Sequence, residues 1–446
     1  MEESAAPIYT PGETSDAGTE NDLYHRWKRL AWKIERALDQ RKKEDDLIYN
    51  ISLRIPDVHR KVNEEAYTPQ VISIGPFHHR SSKLQFMENY KLRCLENFMK
   101  RANTSLMDLV GHVFVGEHFL RAFYEGTIEI ESDDLIQMIL VDACFIIEFF
   151  LKNFSGPKNW TLDDTIELKP WLISRMKLDL ILFENQLPFN IIQTLYEKLV
   201  PREFPSMYPS SFLELAFNFF RAHNLQNIPH DQIGKHEVIH FLDLLRHFNL
   251  PRHRNLQERS YGNVVRKMYC ASQLAEAGLK FQPISGGSLL DVRFSEGVLE
   301  IPSFPLDNTT EIYARNIMAW EQCAYPDEAY VTDYFMMLDF LINTGKDVDL
   351  LVQEGILVKG PGTNSRTTLP TNLCTGISHW GINDDYGDIC RQLVDFRKKH
   401  WYVILKSSLR KDYFRTPWMG AATIGAIFLL ILTLIQTVCT VISIFM

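Results

Sequence analysis

The sequence predicts a mainly α protein: one large helical body with a small β-hairpin, followed by a single transmembrane helix at the C-terminus. Three observations lead there. Apolar residues recur at spacings of three and four through much of 84–343, whereas strict alternation is scarce. No charged residue follows Arg415, and the run 419–446 exceeds the about 20 apolar residues that cross a bilayer as a helix. The 446 residues are 46% hydrophobic and 23% charged, which excludes a collagen, a coiled-coil rod and a wholly disordered chain. A net charge of −9 argues against a nucleic-acid partner. Seven scattered cysteines without a Cys-x-x-Cys pair suggest neither a disulfide framework nor a zinc ribbon.

The elements follow in order. Residues 1–22 carry six acids and no Lys or Arg, the composition of a disordered tail. Over 23–47, Leu23, Trp27, Leu30, Ile34 and Ala37 form one face of an amphipathic helix, opposite the basic Arg26, Lys28, Arg29, Lys33 and Arg36. The body, 48–415, is expected to hold helices near 84–101, 105–123, 133–152, 170–184, 189–199, 236–249, 263–277, 309–323 and 330–343. Residues 288–294 and 298–304, separated by Ser-Glu-Gly, read as a hairpin whose second strand Pro302 and Pro305 would confine to an edge. Two stretches, 200–232 and 359–387, are dense in turn formers and read as loops.

The anchor, 417–446, opens with Pro417 and Trp418, includes Gly425 and Leu430, and ends at Met446. Ala421 and Gly425 form a small-xxx-small pair suited to helix pairing, which leaves room for a homo- or hetero-oligomer through the tail. A basic collar precedes it: Lys398, Lys399, Lys406, Arg410, Lys411 and Arg415, with Arg391 further back. By the positive-inside rule the body is cytosolic. The N-terminus has no apolar signal region, so the expectation is a tail-anchored protein. Asn50, Asn103, Asn153, Asn159 and Asn308 each begin an N-x-S/T sequon, and these would be acceptors only if the body were lumenal or extracellular.

One motif points to chemistry. His236-Glu237-Val238-Ile239-His240, if helical, would put both imidazoles on one face to hold zinc with Glu237 as general base. No third ligand stands at the expected place, since Asp243 occupies the region where glycine extends the motif. Cys374, His379 and Cys390 fit no standard finger, and no Ser-centred nucleophile elbow or phosphate loop is present. Asp142 and Glu148 interrupt one apolar run, and Glu184, Asn185 and Gln186 another. Burial demands partners for them, and Arg315 is one candidate. These read as structural anchors rather than catalysts.

Longer words in the sequence carry a resemblance. They are Ile55-Pro56-x-Val58 with Ile72-Ser73-Ile74-Gly75-Pro76-Phe77-His78; Val141-Asp142-Ala143-Cys144 with Glu148; and Asp179 to Phe189. Further on come His240-Phe241-Leu242-Asp243-Leu244-Leu245-Arg246, Leu290-Asp291-Val292, Arg315-Asn316 with Glu321-Gln322-Cys323, and Asn343-Thr344 with Asp347-Val348. Tyr413-Phe414 before Pro417-Trp418 completes the series. From about residue 48 onward the chain resembles the plant family catalogued as domain of unknown function 247, with Ala143 where that family usually has glycine. The resemblance implies a plant origin and a membrane-associated, mainly helical protein, and it transfers no catalytic residue; no cofactor is expected. Some grass members of that family are implicated in self-incompatibility as pollen-side determinants that recognise a small secreted protein. It also places His240 in a family word to which His236 and Glu237 do not belong. The leading expectation is therefore a non-enzymatic, membrane-anchored recognition protein with a protein partner. A membrane-tethered zinc hydrolase and a structural membrane scaffold are the alternatives.

Overall fold

A computed structural model describes residues 28, 30–34, 54–124, 129–156, 169–199, 208–233, 238–250, 268–284, 288–360, 373–377, 381–403, 405 and 417–445. The expected acidic tail lies outside them, as do His236, Glu237, His379, Asn50, Asn159, Lys406, Arg410, Lys411, Arg415 and Met446. In the N-terminal unit, Met1–Ile51, residues 28 and 30–34 are helical, within the expected amphipathic helix.

The second unit, from Ser52 onward, is mainly helical. Its helices begin with α1 (Asp57–Val62), α2 (Glu88–Ala102), α3 (Leu106–Val115), α4 (Glu117–Phe123) and α5 (Ser132–Ser155). They continue through α6 (Pro170–Asp179), α7 (Phe189–Leu199), α8 (Phe212–Phe219), α9 (Phe241–His247) and α10 (Ala271–Glu276). The strands β1 (Lys280–Ile284), β2 (Arg293–Ser295), β3 (Val298–Pro302) and β4 (Phe304–Leu306) come next. After them lie α11 (Thr310–Ala324), α12 (Tyr330–Leu341), α13 (Gly345–Gln353), β5 (Leu357–Lys359), α14 (Asp384–Lys399) and α15 (Pro417–Phe445).

The core forms around α5. Every residue from Leu135 to Leu151 is buried except Gln137, as expected of a helix that is apolar on nearly all sides. Helices α2, α3, α7 and α8 pack against it. An aromatic cluster fills the junction: Phe150 stacks on Phe219 at 3.8 Å between centroids and meets Phe212 and Phe241 at 5.7 and 5.3 Å. A second helical layer joins α9, α11 and α12.

Several sequence expectations shift. The single helix expected over 105–123 is two, α3 and α4, parted at Gly116, where a Cβ would come within 3.2 Å of the Ile191 side chain. The helix expected over 170–184 stops at Asp179, and the helix expected over 236–249 begins only at Phe241. The stretch 200–232 contains α8, whose first turn is capped by the Ser211 hydroxyl accepting from the Glu214 N–H. The 359–387 stretch likewise ends inside α14, capped by Asn383.

The hairpin exists, but its first strand is only Arg293–Ser295, not 288–294, and its second strand is not an edge. Strand β3 is central in the order β1-β3-β2, antiparallel to β2 and parallel to β1. Pro302 is tolerated because it is the last residue of that strand, where the ladder ends and no further N–H is required. Pro305 belongs to β4, paired with β5 in a separate two-stranded sheet.

Candidate functional site

Two of the polar residues embedded in apolar runs, Asp142 and Asn185, share a task with Asp179. Residues 71–75 are buried and belong to no helix or strand, so their backbone groups need partners. Side chains from α5, from the end of α6 and from the loop after it supply them. Asp179 accepts from the N–H groups of Gln70, Val71 and Ile72, at 2.7 and 2.9 Å for the last two. Asn185 accepts from Ile74 N–H at 2.7 Å and donates to the carbonyls of Ile72 and Asp179. Asp142 accepts from Gly75 N–H at 2.8 Å and from the Lys91 ammonium at 2.7 Å. Gly75 has a φ of +71°, and a Cβ there would lie 2.9 Å from the Tyr124 hydroxyl, so only glycine fits.

Lys91 is fully buried, and its ammonium also donates to the Ser73 carbonyl and pairs with Glu88 at 2.8 Å. Burial works against this charge, but Asp142 and Glu88 outweigh it and hold the group above its ordinary value. Glu148 takes a two-pronged ion pair from Arg101 at 2.9 and 3.0 Å. Glu184 accepts from Ile55 N–H at 2.9 Å and from Arg60. Arg315, the partner expected from sequence, instead pairs with Glu311 one turn earlier on α11 at 2.7 Å. The true partners, Lys91, Arg101 and Arg60, lie 47 to 124 residues from their carboxylates.

The second layer repeats the pattern. Glu321 accepts from Arg246, from the N–H groups of Val331 and Thr332 and from the Thr332 hydroxyl, tying α11 to the first turn of α12. Asp243 accepts from the Trp320 indole, the Tyr325 hydroxyl and Ile239 N–H. Gln186 donates to Leu180 and Leu182 carbonyls and accepts from Phe241 N–H. These groups spend their hydrogen-bonding capacity on the fold. Sequence reading missed the buried lysine, although its position was informative: Lys91 stands three, four and seven residues before Cys94, Leu95 and Phe98, on the buried face of α2.

His240 does not sit inside a helix. Its backbone is extended, at φ −159°, and its Nδ1 caps α9 by accepting from the Asp243 N–H at 3.1 Å. The one-face geometry that the zinc motif needs therefore fails at its second histidine. Its ring packs 4.2 Å from that of Trp320, and burial lowers its pKa to about 4 against the opposing charge of Asp243. Among the described residues no group of three or more His, Cys, Asp or Glu side chains is placed to hold a metal ion. Cys374 and Cys390 are free thiols.

One surface is open and apolar. Helix α3 buries Leu109 and Val113 but leaves Leu106, Met107, Val110, Phe114 and Val115 exposed, Met107 at 83% and Val115 at 86%. Between α3 and the helices α2 and α5 lies a groove of about 380 Å³, lined by Leu92, Leu106, Val110, Phe114, Ile136 and Leu140. Asp133 and Gln137 are its polar members.

Helix α15 contains one stretch, Trp418–Ser443, long and apolar enough to cross a membrane. It is uncharged, and Gly425 has open space where a Cβ would be. Its hydroxyls turn inward on their own helix: Thr423, Thr433, Thr437 and Thr440 each donate to the carbonyl one turn earlier at 2.8 Å. Of the sequons, Asn103 is exposed at the C-terminus of α2 with a φ of +46°, Asn308 is exposed before α11, and Asn153 is half-buried within α5.

The family model for a plant protein of unknown function, DUF247, matches residues 53–432, which take in the buried segment, its side-chain partners and about half of the apolar tail. The chain belongs to the DUF247 family. Two Arabidopsis thaliana proteins are similar to it: a UPF0481 protein, 28% identical with 87% of this chain and 86% of the relative covered, and a putative UPF0481 protein, 23% identical with 95% and 97% covered. No solved structure matches. In this DUF247 chain the words that carried the resemblance contain side chains that hold the fold: Asp142, Asp179 and Asn185 on the buried segment, and Gln186, Asp243, Arg246, Asn316 and Glu321 elsewhere in the body.

Proposed function

We propose that this DUF247 chain is a non-enzymatic, membrane-anchored interaction protein whose helical body binds a protein partner through the face around α3. The observation that carries this is the exposure of α3. A helix with apolar side chains on its outer as well as its inner side, beside an apolar groove, is a surface that lowers its free energy by docking. The buried carboxylates Asp142, Glu148, Asp179, Asp243 and Glu321 are engaged as acceptors for the fold rather than free to act as acid and base, and that favours binding over catalysis. The tail supports attachment to a bilayer, and the basic collar favours a cytosolic body. A pollen-side role in recognising a secreted protein would instead require the body outside the cell, with its sequons glycosylated.

Full-length protein carrying Met107→Asp and Phe114→Asp tests the reading. Both positions are exposed, so the body keeps its fold. Proximity labelling and cross-linking in plant tissue should capture a partner with the parent chain and lose it with the variant. Two lost anchors of about 2 kcal/mol each would weaken the complex by about 10³-fold. Capture of the same proteins by both chains overturns the α3 face as the binding surface.

A further inference from the structure

We infer that the end of α14 is a foot that rests on the surface of an anionic bilayer and fixes how the body stands on it. Three features meet there. Helix α14 closes with Arg397, Lys398 and Lys399, and residues 401–403 and 405 are again helical. In that second piece Trp401, Tyr402 and Leu405 are exposed, at 64%, 57% and 50%. Large amphipathic aromatics beside lysines are the composition that settles at the headgroup level of a membrane, where the ring is half apolar and the charge meets anionic lipid. Each Lys or Arg near such a surface adds to the attraction. The charge of the last two turns of α14 stays positive, because Asp395, paired with Lys398, is the one acid there against Arg397, Lys398 and Lys399.

The occupant follows from the tether. Only residues 406–416 separate Leu405 from Pro417, where α15 begins. Eleven residues reach at most about 40 Å when fully extended. The foot is therefore held close to any bilayer that α15 crosses, so the membrane is present at high effective concentration without a separate binding event. A protein partner would have no such advantage.

The foot is also rigidly joined to the body. Phe396 packs edge-on against Phe294 of β2 at 5.8 Å, and Gly297 is close enough that a Cβ would meet Phe396 at 3.1 Å. The Arg397 guanidinium lies 4.1 Å over the Tyr269 ring. Contact of Trp401 and Lys399 with headgroups would then set the orientation of the hairpin and of the core behind it. This inference rests on α15 being a membrane span.

The experiment uses the full chain in nanodiscs of phosphatidylcholine, alone or mixed with phosphatidylserine, with brominated acyl chains as quenchers of tryptophan emission. The difference between the parent and Trp401→Phe isolates Trp401, and that between the parent and Trp418→Phe isolates the span. Trp401 should be quenched in anionic discs, and Lys398→Glu with Lys399→Glu should return it to the weaker quenching of neutral discs. Trp401 emission that stays unquenched in anionic discs while Trp418 is quenched overturns the foot and leaves the span intact. Quenching of Trp401 that ignores both lipid charge and the two glutamates overturns the anionic surface as occupant. Loss of quenching at Trp418 itself means that the span is absent, and the membrane reading fails with it.

Discussion

At the scale of single residues, the body is organised by charged side chains that touch backbone. Lys91 is the extreme case, because it neutralises Asp142 and also satisfies the Ser73 carbonyl. Lys91→Met keeps the apolar stem but leaves the Asp142 carboxylate buried with only the Gly75 N–H. The expected loss is about 3–5 kcal/mol, read from urea unfolding of the full chain in detergent. An unchanged midpoint would show that the pair contributes nothing. His240 makes a second prediction, through pH. Burial lowers its folded pKa to about 4 from an ordinary 6.5. The fold thus favours its neutral form, so its contribution is complete above pH 6.5 and is lost as pH falls toward 4. Between pH 7 and pH 5 that is about 2 kcal/mol. Asp179 acts in the opposite sense: burial lifts it to about 6, so its protonation below that pH adds about 1 kcal/mol over the same interval. His240→Asn retains an acceptor to cap α9 but has nothing to titrate, so the change in stability from pH 7 to pH 5 should be about 2 kcal/mol more favourable in the variant than in the parent. An equal pH dependence in parent and variant would exclude His240 as the titrating group. That the interrupting carboxylates are structural was legible from their apolar surroundings. Their partners were not, because Lys91–Asp142 and Arg60–Glu184 join distant parts of the chain and leave no local pattern.

At the scale of elements, local signals governed what could be read. Helix α7 coincides with its expected limits of 189–199, since it has a clear apolar face. Helix α8 was hidden by the Pro, His and Asn around it, although Ser211-Phe212-Leu213-Glu214 carries a helix-start signature that Ser211 fulfils. The β2–β3 turn was legible, but the parallel pairing of β1 with β3 was not, because a strand pattern does not name its neighbour. The turn itself is open to improvement. Glu296 and Gly297, its two central residues, have φ of +50° and +80°, the signs of a type I′ turn. Glutamate is a poor occupant of the left-handed region, whereas asparagine enters it readily. Glu296→Asn should therefore stabilise the body by about 0.5–1 kcal/mol. The check is a rise in thermal midpoint for the full chain, and a fall would mean that the Glu296 side chain contributes more than its backbone strain costs.

At the scale of the whole molecule, the most legible feature is the one that depends on a single element. A membrane span needs only length and apolarity, and α15 has both, whereas the packing around α5 depends on many distant pairings. Its 29 residues make a helix of about 43 Å, longer than the about 30 Å of hydrocarbon, so it can cross with tilt to spare. The side on which we propose that the body stands rests on charge. Arg391, Lys398, Lys399, Lys406, Arg410, Lys411 and Arg415 precede the span and no basic residue follows it, which predicts a cytosolic body. The sequons provide an independent reporter, since Asn103 and Asn308 are exposed on the body and would be open to glycan in the lumen. Membranes carrying the full chain should retain it through alkaline carbonate extraction, and a chain ending at Thr416 should be released. Treatment of the retained protein with an N-glycosidase should leave its mass unchanged. A mass decrease would put the body on the lumenal or extracellular side, reverse the charge argument, and make a secreted partner the chemistry to test against the α3 face.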